Sequence, residues 1–403
     1  MIGKRLKVYY SSKNGKLFLV SITLLAAWFI MTTVSPVFKG KTGRLFSDTY
    51  DRSDYFERGK WFTEHTPPLS EYPQIPTLLF GINNLTSMWA ETDMQLAVYL
   101  AFFSFEMLVI LFLVFNLLLE LLPPNFQNYA FLILLPPTLY FTYNRFDILP
   151  AFLCLTAYSA ATKRQWTKVS IILAVATFTK WYPVLLFPGF FMYAFYLESK
   201  FQWKMIIGFA VTSIAILLLS YLFGGFESVL ATYQFHMARN VDYIAFPVLI
   251  NNLVRSVLSI PLIPPNYLLF FFIMQISAPI MIIFVKLESL DQLIDYCIVV
   301  MGLFVLFSRI WSPQWFLWLL PFLIISAKNA KTAWLIIVYN ISIYLCFPVI
   351  FDSYGKSSYQ LQIAGLLTYL ILIFLIFRSI KNLKQVFSFS KIKTDIKILF
   401  PPP

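Results

Sequence analysis

Apolar runs of about twenty residues recur from Leu17 to Phe400 with only short polar breaks between them, and that spacing constrains the chain more than any motif in it. A hydrocarbon core of about 30 Å takes roughly 20 apolar residues as an α-helix. Lipid cannot satisfy backbone polar groups, which leaves helices or a closed barrel, and a barrel would alternate apolar and polar residues where this chain has solid blocks. Charged residues make up 12% of the sequence, against roughly 25% in an average soluble domain. The chain therefore reads as an all-α, polytopic transmembrane bundle of about ten to thirteen helices. One integral membrane domain is expected over residues 1–403, with a first span at 17–37, an extracytoplasmic loop at 38–93, a helical bundle at 94–377 and a basic cytoplasmic tail at 378–403.

A net charge of +12 does not point to nucleic acid here, because the basic residues lie in the short breaks and the tail, as the positive-inside rule predicts. Lys4, Arg5, Lys7, Lys13 and Lys16 precede the first span and place the N-terminus in the cytoplasm. That span is too long, and too weakly followed by a small-residue cleavage site, to be a removed signal peptide. Alternation then turns the chain into a span at 128–143 after Pro123 and Pro124. It puts Glu120, Lys163, Lys168, Lys200, Lys204, Lys286 and Lys328 inside, and residues 144–147, 180–182, 308–314 and 352–360 outside, with 224–252 as a second long polar segment. Cys154, Cys297 and Cys346 all lie in apolar runs, which argues for packing and against a disulfide framework.

The outer side holds the informative residues. Residues 47–76 carry six of the 19 acidic residues, far more polarity than a connector needs. Asp48, Asp51, Asp54 and Glu57 fall three apart, which on a helix puts successive carboxylates nearly on one face. Pattern alone leaves two readings: a reactive site, or a solvated helix balanced by Arg52, Arg58 and Lys60. Arg145, Asp147, Lys180, Arg239, Arg255 and Arg309 stand against the positive-inside trend at the outer ends of spans, where a charge usually has a partner or a ligand. Singly they suit snorkelling or an internal pair such as Arg145 with Asp147; together they suit an anion. Tyr50, Tyr55, Trp61, Tyr72, Trp181, Tyr182, Trp311 and Trp315 fall at the same ends, as an interfacial belt or as faces for sugar rings. With His65 and His236 the only histidines, no transition-metal site is expected. No cofactor is required by the sequence, although carboxylates and water could hold Mg²⁺ or Mn²⁺.

Asp51-Arg52-Ser53-Asp54-Tyr55, followed by Glu71-Tyr72-Pro73, resembles the Asp-x-x-x-Tyr and (Glu)-Tyr-Pro-Pro pattern in the first outer loop of polyprenyl-phosphate-mannose-dependent mannosyltransferases. These belong to the GT-C glycosyltransferase superfamily and include the enzymes that build phosphatidylinositol mannosides. Arg145-Phe-Asp-Ile-Leu-Pro150, Lys180-Trp-Tyr-Pro183, His236-Met-Ala-Arg239 and Ser312-Pro-Gln-Trp-Phe-Leu-Trp-Leu-Leu-Pro321 are similar to the family's corresponding segments, in order, over residues 45–325. Gln74 replaces the second proline of Tyr-Pro-Pro, and Asn240 and Asp242 follow Arg239 where the family has Gly and Glu-Ser.

The resemblance implies a GT-C type fold and an inverting transfer of a sugar, mannose first among them, from a polyprenyl-phosphate donor to a glycolipid or glycan acceptor at the outer face of the cytoplasmic membrane. It assigns the base to Asp51, with Asp48 and Asp54 as alternatives. Donor phosphate binding falls to Arg145, Lys180, Arg239 and Arg309, and substrate contacts to Tyr55, Glu71, Tyr72, His236, Trp311 and Gln314. The donor carries no nucleotide, in keeping with a sequence that has no Gly-rich phosphate loop. Two other classes share the outward cations: a transporter or flippase of lipid-linked sugars, which commonly shows internal repeats and broken helices, and a polymerase or ligase using a pyrophosphate-linked glycan. In the latter a loop carboxylate would be dispensable.

Overall fold

The computed structural model describes residues 12–34, 37, 41–68, 70–258, 267–280 and 285–384. The expectations for Lys4, Arg5 and Lys7, for the prolines at 261–265, and for Lys391, Lys393 and Lys397 of the tail lie outside those residues. Helices account for every regular element among the described residues, with no strand. In chain order α1 (Lys13–Val34) leads to α2 (Tyr50–Gly59) and α3 (Gln74–Ser87), and α4 (Gln95–Leu121) follows. A 3-10 helix at Pro124–Leu134 runs into α5 (Pro136–Asn144), then α6 (Ile148–Thr162), α7 (Trp166–Thr177), α8 (Phe187–Glu198) and α9 (Trp203–Ala238). After α10 (Phe246–Leu258) and α11 (Tyr267–Ile280) come α12 (Leu290–Phe307), α13 (Phe316–Ser326), α14 (Ala330–Tyr344) and α15 (Tyr359–Lys384).

Six of these are long and apolar enough to cross a membrane: α1, α4, α9, α12, α14 with its extension to Tyr354, and α15. Helices α6, α7, α10 and α13 are apolar but shorter than the roughly 20 residues of a straight crossing. Polar residues sort to two ends of the bundle. At one end Lys13 Nζ pairs with Glu120 Oε1 at 2.9 Å, with Lys163 nearby. At the other lie α2, the turn after α5, the end of α9 and the segment 308–315. Lys13 and Lys16 are already inside α1, where Lys16 reaches Gln127.

Two expectations are corrected. Residues 128–143 are not one helix: a 3-10 segment stops at Leu134 and α5 restarts at Pro136, because a proline pair opens a helix but cannot continue one. Nor is 224–238 a polar loop. Helix α9 runs on to Ala238 after a kink at Gly224 and Gly225, where Gly225 has φ 65°, a left-handed conformation that favours glycine. The polar residues beyond the kink are anchors: Thr232 Oγ1 donates to the backbone carbonyls of Tyr72 and Ser70 at 2.7 and 3.1 Å, docking the end of α9 onto the segment before α3.

Helix α2 is held from beneath by aromatic packing. The buried Tyr55 ring stacks on Phe80 with centroids 4.5 Å apart and meets Tyr72, Phe103 and Phe146 edge-on or tilted. At its C-terminus Gly59 lies directly against the Phe80 backbone of α3, so a methyl there would collide with a carbonyl oxygen that cannot swing aside. Gly59→Ala is expected to destabilise the folded protein by about 1–3 kcal/mol, measured as a lowered melting temperature in detergent; an unchanged melting curve would contradict this packing.

Candidate functional site

The polar end of the bundle is organised by α2. Just before the helix, the Asp48 N–H donates to Asn144 Oδ1 at 3.0 Å, and Asp48 Oδ1 accepts from the Tyr50 N–H at 3.1 Å. Arg52 lies on the buried face of α2 with Tyr55 and Phe56: it donates to Ser104 Oγ at 2.8 Å and to Ser47 Oγ, and lies over the Tyr143 ring. Arg52 is therefore an anchor into the bundle and not a solvated balancing charge. The three-residue spacing does not give one row of carboxylates either. Asp48 precedes α2, Asp51 is in its first turn, Asp54 pairs with Arg58 at 3.4 Å and Glu57 with Lys60 at 2.7 Å.

Asp48 and Asp51 converge on one guanidinium. Arg145, on extended backbone after α5, places Nη2 2.9 Å from Asp48 Oδ2 and Nε 2.5 Å from Asp51 Oδ2. The local pair Arg145 with Asp147 does not form. Asp147, fully buried, accepts from Trp318 Nε1 at 2.9 Å and lies 3.8 Å from Lys180 Nζ. Burial pushes the Asp48 carboxyl up, but Arg145 and the Tyr50 N–H outweigh it and hold the group below its ordinary value. For Asp51 burial prevails: Arg145 and Lys180 pull its affinity for a proton down, the charges of Asp48 and Asp147 push it up, and the net shift is upward. Two neighbouring carboxylates are thus driven apart by their environments.

Asp48, Asp51 and Arg145 open onto a cavity of about 510 Å³ that is also lined by Arg239, Trp311 and Gln314. With Tyr50, seven of the residues singled out in the sequence meet there. The cavity also takes Arg44, Asp242, Asp352 and Lys356, none of them among the sequence candidates. Arg44 Nη1 lies 3.4 Å from Asp352 Oδ1, a pair 308 positions apart for which no local pattern exists. Asp242 had appeared only as a departure from a motif; here its carboxylate accepts from the Trp311 N–H at 3.0 Å and ties two segments of the wall together.

The remaining candidates flank this cavity. Lys180 Nζ stands over the Phe146 and Tyr72 rings at 4.5 and 5.6 Å. Lys180, Arg239 and Arg309 are all electrostatic neighbours of His236, whose ring packs on Trp181, itself stacked on Tyr233. Arg309 donates to the main-chain carbonyls of His236 and Met237 and so closes the C-terminus of α9. Arg239 is about a third exposed and only loosely paired with Asp242, at 3.7 Å. Glu71 lies 3.8 Å from Arg58, and burial raises its carboxyl. Tyr55 is sealed in the aromatic core and acts by holding α2. His65 and Arg255 are exposed and do not line the cavity. Beyond Tyr72 an apolar groove runs between α3 and α9, lined by Trp61, Ile75, Leu78, Leu219 and Phe223. Among the described residues no group of three or more His, Cys, Asp or Glu converges as a metal site would require.

Asp48→Asn removes one carboxylate from a buried ion pair and is expected to cost about 3 kcal/mol at neutral pH. Because the folded state lowers the affinity of Asp48 for its proton, that stabilisation is complete above the ordinary carboxylate value and is lost as pH falls through the depressed one. Melting curves of the two proteins should therefore converge in strong acid; a constant gap at every pH would contradict the assignment.

No family model matches the chain, and no curated protein matches it.

Proposed function

We propose that the protein is an inverting membrane glycosyltransferase of GT-C type, with about ten to thirteen crossings, that moves a sugar, mannose first, from a polyprenyl-phosphate donor to a glycolipid or glycan acceptor at the outer face of the cytoplasmic membrane. The observation that carries this reading is a succession of environments. An apolar groove between α3 and α9 ends at Tyr72, Lys180 stands over Tyr72 with His236 and Arg239 beside it, and the Asp51 cavity follows, close enough for Lys180 to act on Asp51. Lipid tail, phosphate and sugar need that order.

In this mechanism Asp51 takes the proton of an acceptor hydroxyl, the hydroxyl oxygen attacks C1 of the sugar, and the bond from C1 to the phosphate oxygen breaks. A single displacement inverts the anomeric carbon. The electron pair leaves on the phosphate, whose charge Lys180 and Arg239 are placed to stabilise. The upward shift of Asp51 makes it a better base than an ordinary carboxylate, whereas Asp48 is held in its anionic form and Asp54 lies off the cavity. Arg145 then works as a positioning residue for Asp51 rather than as a phosphate ligand, and Arg309 as a cap that fixes the His236 end of α9. Trp311 and Gln314 are available to the sugar.

Purified protein supplied with polyprenyl-phosphate mannose and candidate acceptors should release polyprenyl phosphate. Asp51→Asn should lower that rate by roughly 10²–10⁴-fold while the protein still expresses; full activity would remove Asp51 as the base and leave Asp48 or Asp54. The wild-type rate should fall on the acid side with a limb above the ordinary carboxylate range, because a base with an upward-shifted pKa is protonated, and lost, at higher pH. A limb at or below that range would contradict the role given to Asp51.

A further inference from the structure

The opposite end of α7 carries a second cavity that the transfer reaction does not use. The turn from α6 to α7 and the turn from α8 to α9 enclose a cleft of about 900 Å³, separated from Lys180 by the length of α7, roughly 18 Å. Its charge is one-sided. Arg164, Lys168, Lys200 and Lys204 line it with a single carboxylate, Glu198, and that carboxylate accepts from Trp166 Nε1 at 3.1 Å and lies 4.0 Å from Arg164. The cavity at the other end sets Arg44, Arg145, Arg239 and Lys356 against Asp48, Asp51, Asp242 and Asp352 and is balanced. Concentrating one sign of charge in a concave site creates a field that gathers the opposite ion.

An apolar stripe leads away from this cleft along α9. Ile207, Val211, Ile214 and Leu218 are each more than half exposed, and their spacing of four, three and four puts them on one face of the helix. Trp203, also largely exposed, stands at the junction of the charged cleft and the stripe, where aromatic side chains commonly mark the boundary of lipid and water. Helices α7 and α9 keep this geometry rigid, since they approach so closely at Gly208 that a methyl there would stand 2.6 Å from Ser170 Oγ.

We propose that this cleft binds an anionic phospholipid, with the phosphate of its headgroup among Arg164, Lys168, Lys200 and Lys204 and its acyl chains along the Ile207 to Leu218 face of α9. The excess of cations selects a headgroup without a compensating ammonium, and the adjoining stripe selects a lipid over a free anion. The proposal stands independently of the transfer reaction.

Delipidated full-length protein in detergent, titrated with phosphatidylglycerol, phosphatidylcholine or inorganic phosphate and followed by native mass spectrometry and melting, tests it. Phosphatidylglycerol should bind and raise the melting temperature where phosphatidylcholine does not. The combined variant Lys168→Gln, Lys200→Gln, Lys204→Gln should weaken phosphatidylglycerol binding by about fivefold per charge removed with its lipid-free melting unchanged. The pair Lys328→Gln and Lys331→Gln should leave that affinity as it is. Equal binding of the two lipids, an unaffected triple variant, or the same loss in the Lys328 and Lys331 pair would overturn the proposal. Inorganic phosphate that stabilises as well as phosphatidylglycerol would overturn the lipid and leave an anion site.

Discussion

The arrangement of the polar end depends on one guanidinium. Arg145 is buried, and a buried cation is tolerated only when paired and hydrogen-bonded; Asp48 and Asp51 supply that pairing from a segment almost a hundred residues earlier. The consequence runs both ways. The cation fixes the approach of α2 to the bundle, and the carboxylates, sharing one partner in a dry setting, become unequal: one is held anionic while the other is left readier to accept a proton. Arg52 completes the arrangement on the buried face of α2, where hydroxyls and an aromatic face receive a second cation. Helix α2 is thus clamped at two points before any ligand is considered.

Cations that look equivalent along the chain acquire different tasks through packing. Arg309 is spent on the carbonyls at the end of α9, and Lys180 sits between a buried carboxylate and two ring faces. Arg239 stays about a third exposed and only loosely paired. Simple charge counting at this end would overstate the field available to an anion, whereas in the cleft at the start of α7 and α9 a single carboxylate offsets four cations.

Much of the architecture was legible because lipid allows so few solutions. Apolar blocks named the long helices. Asp51, Arg145, Arg239, Trp311 and Gln314, picked from separate segments, line a common cavity. What escaped reading was partnership. Whether Arg145 chooses Asp147, two residues away, or Asp48 depends on where two distant backbones come to rest, and nothing in the local pattern records it. Arg52 could be read as a balancing surface charge because an arginine is seldom buried, although it shares its face of α2 with Tyr55, Phe56 and Gly59, and Ser104 on α4 shows what receives it. The helix after Gly225 read as loop because of its polar residues, one of which, Thr232, hydrogen-bonds to the backbone before α3.

The cavity also has an order of assembly written into its contacts. Chains emerge N-terminus first, so Asp48 and Asp51 are made well before the arginine that neutralises them, and Asp147 before Trp318. Asp352, which meets Arg44 across 308 positions, arrives far later, with Lys356 just behind it. Arg145 then gives the early carboxylates their buried partner, but the wall stays open until Asp352 and Lys356 are made. Whatever chemistry this end of the protein performs is therefore closed to every nascent chain that has not been made nearly to α15.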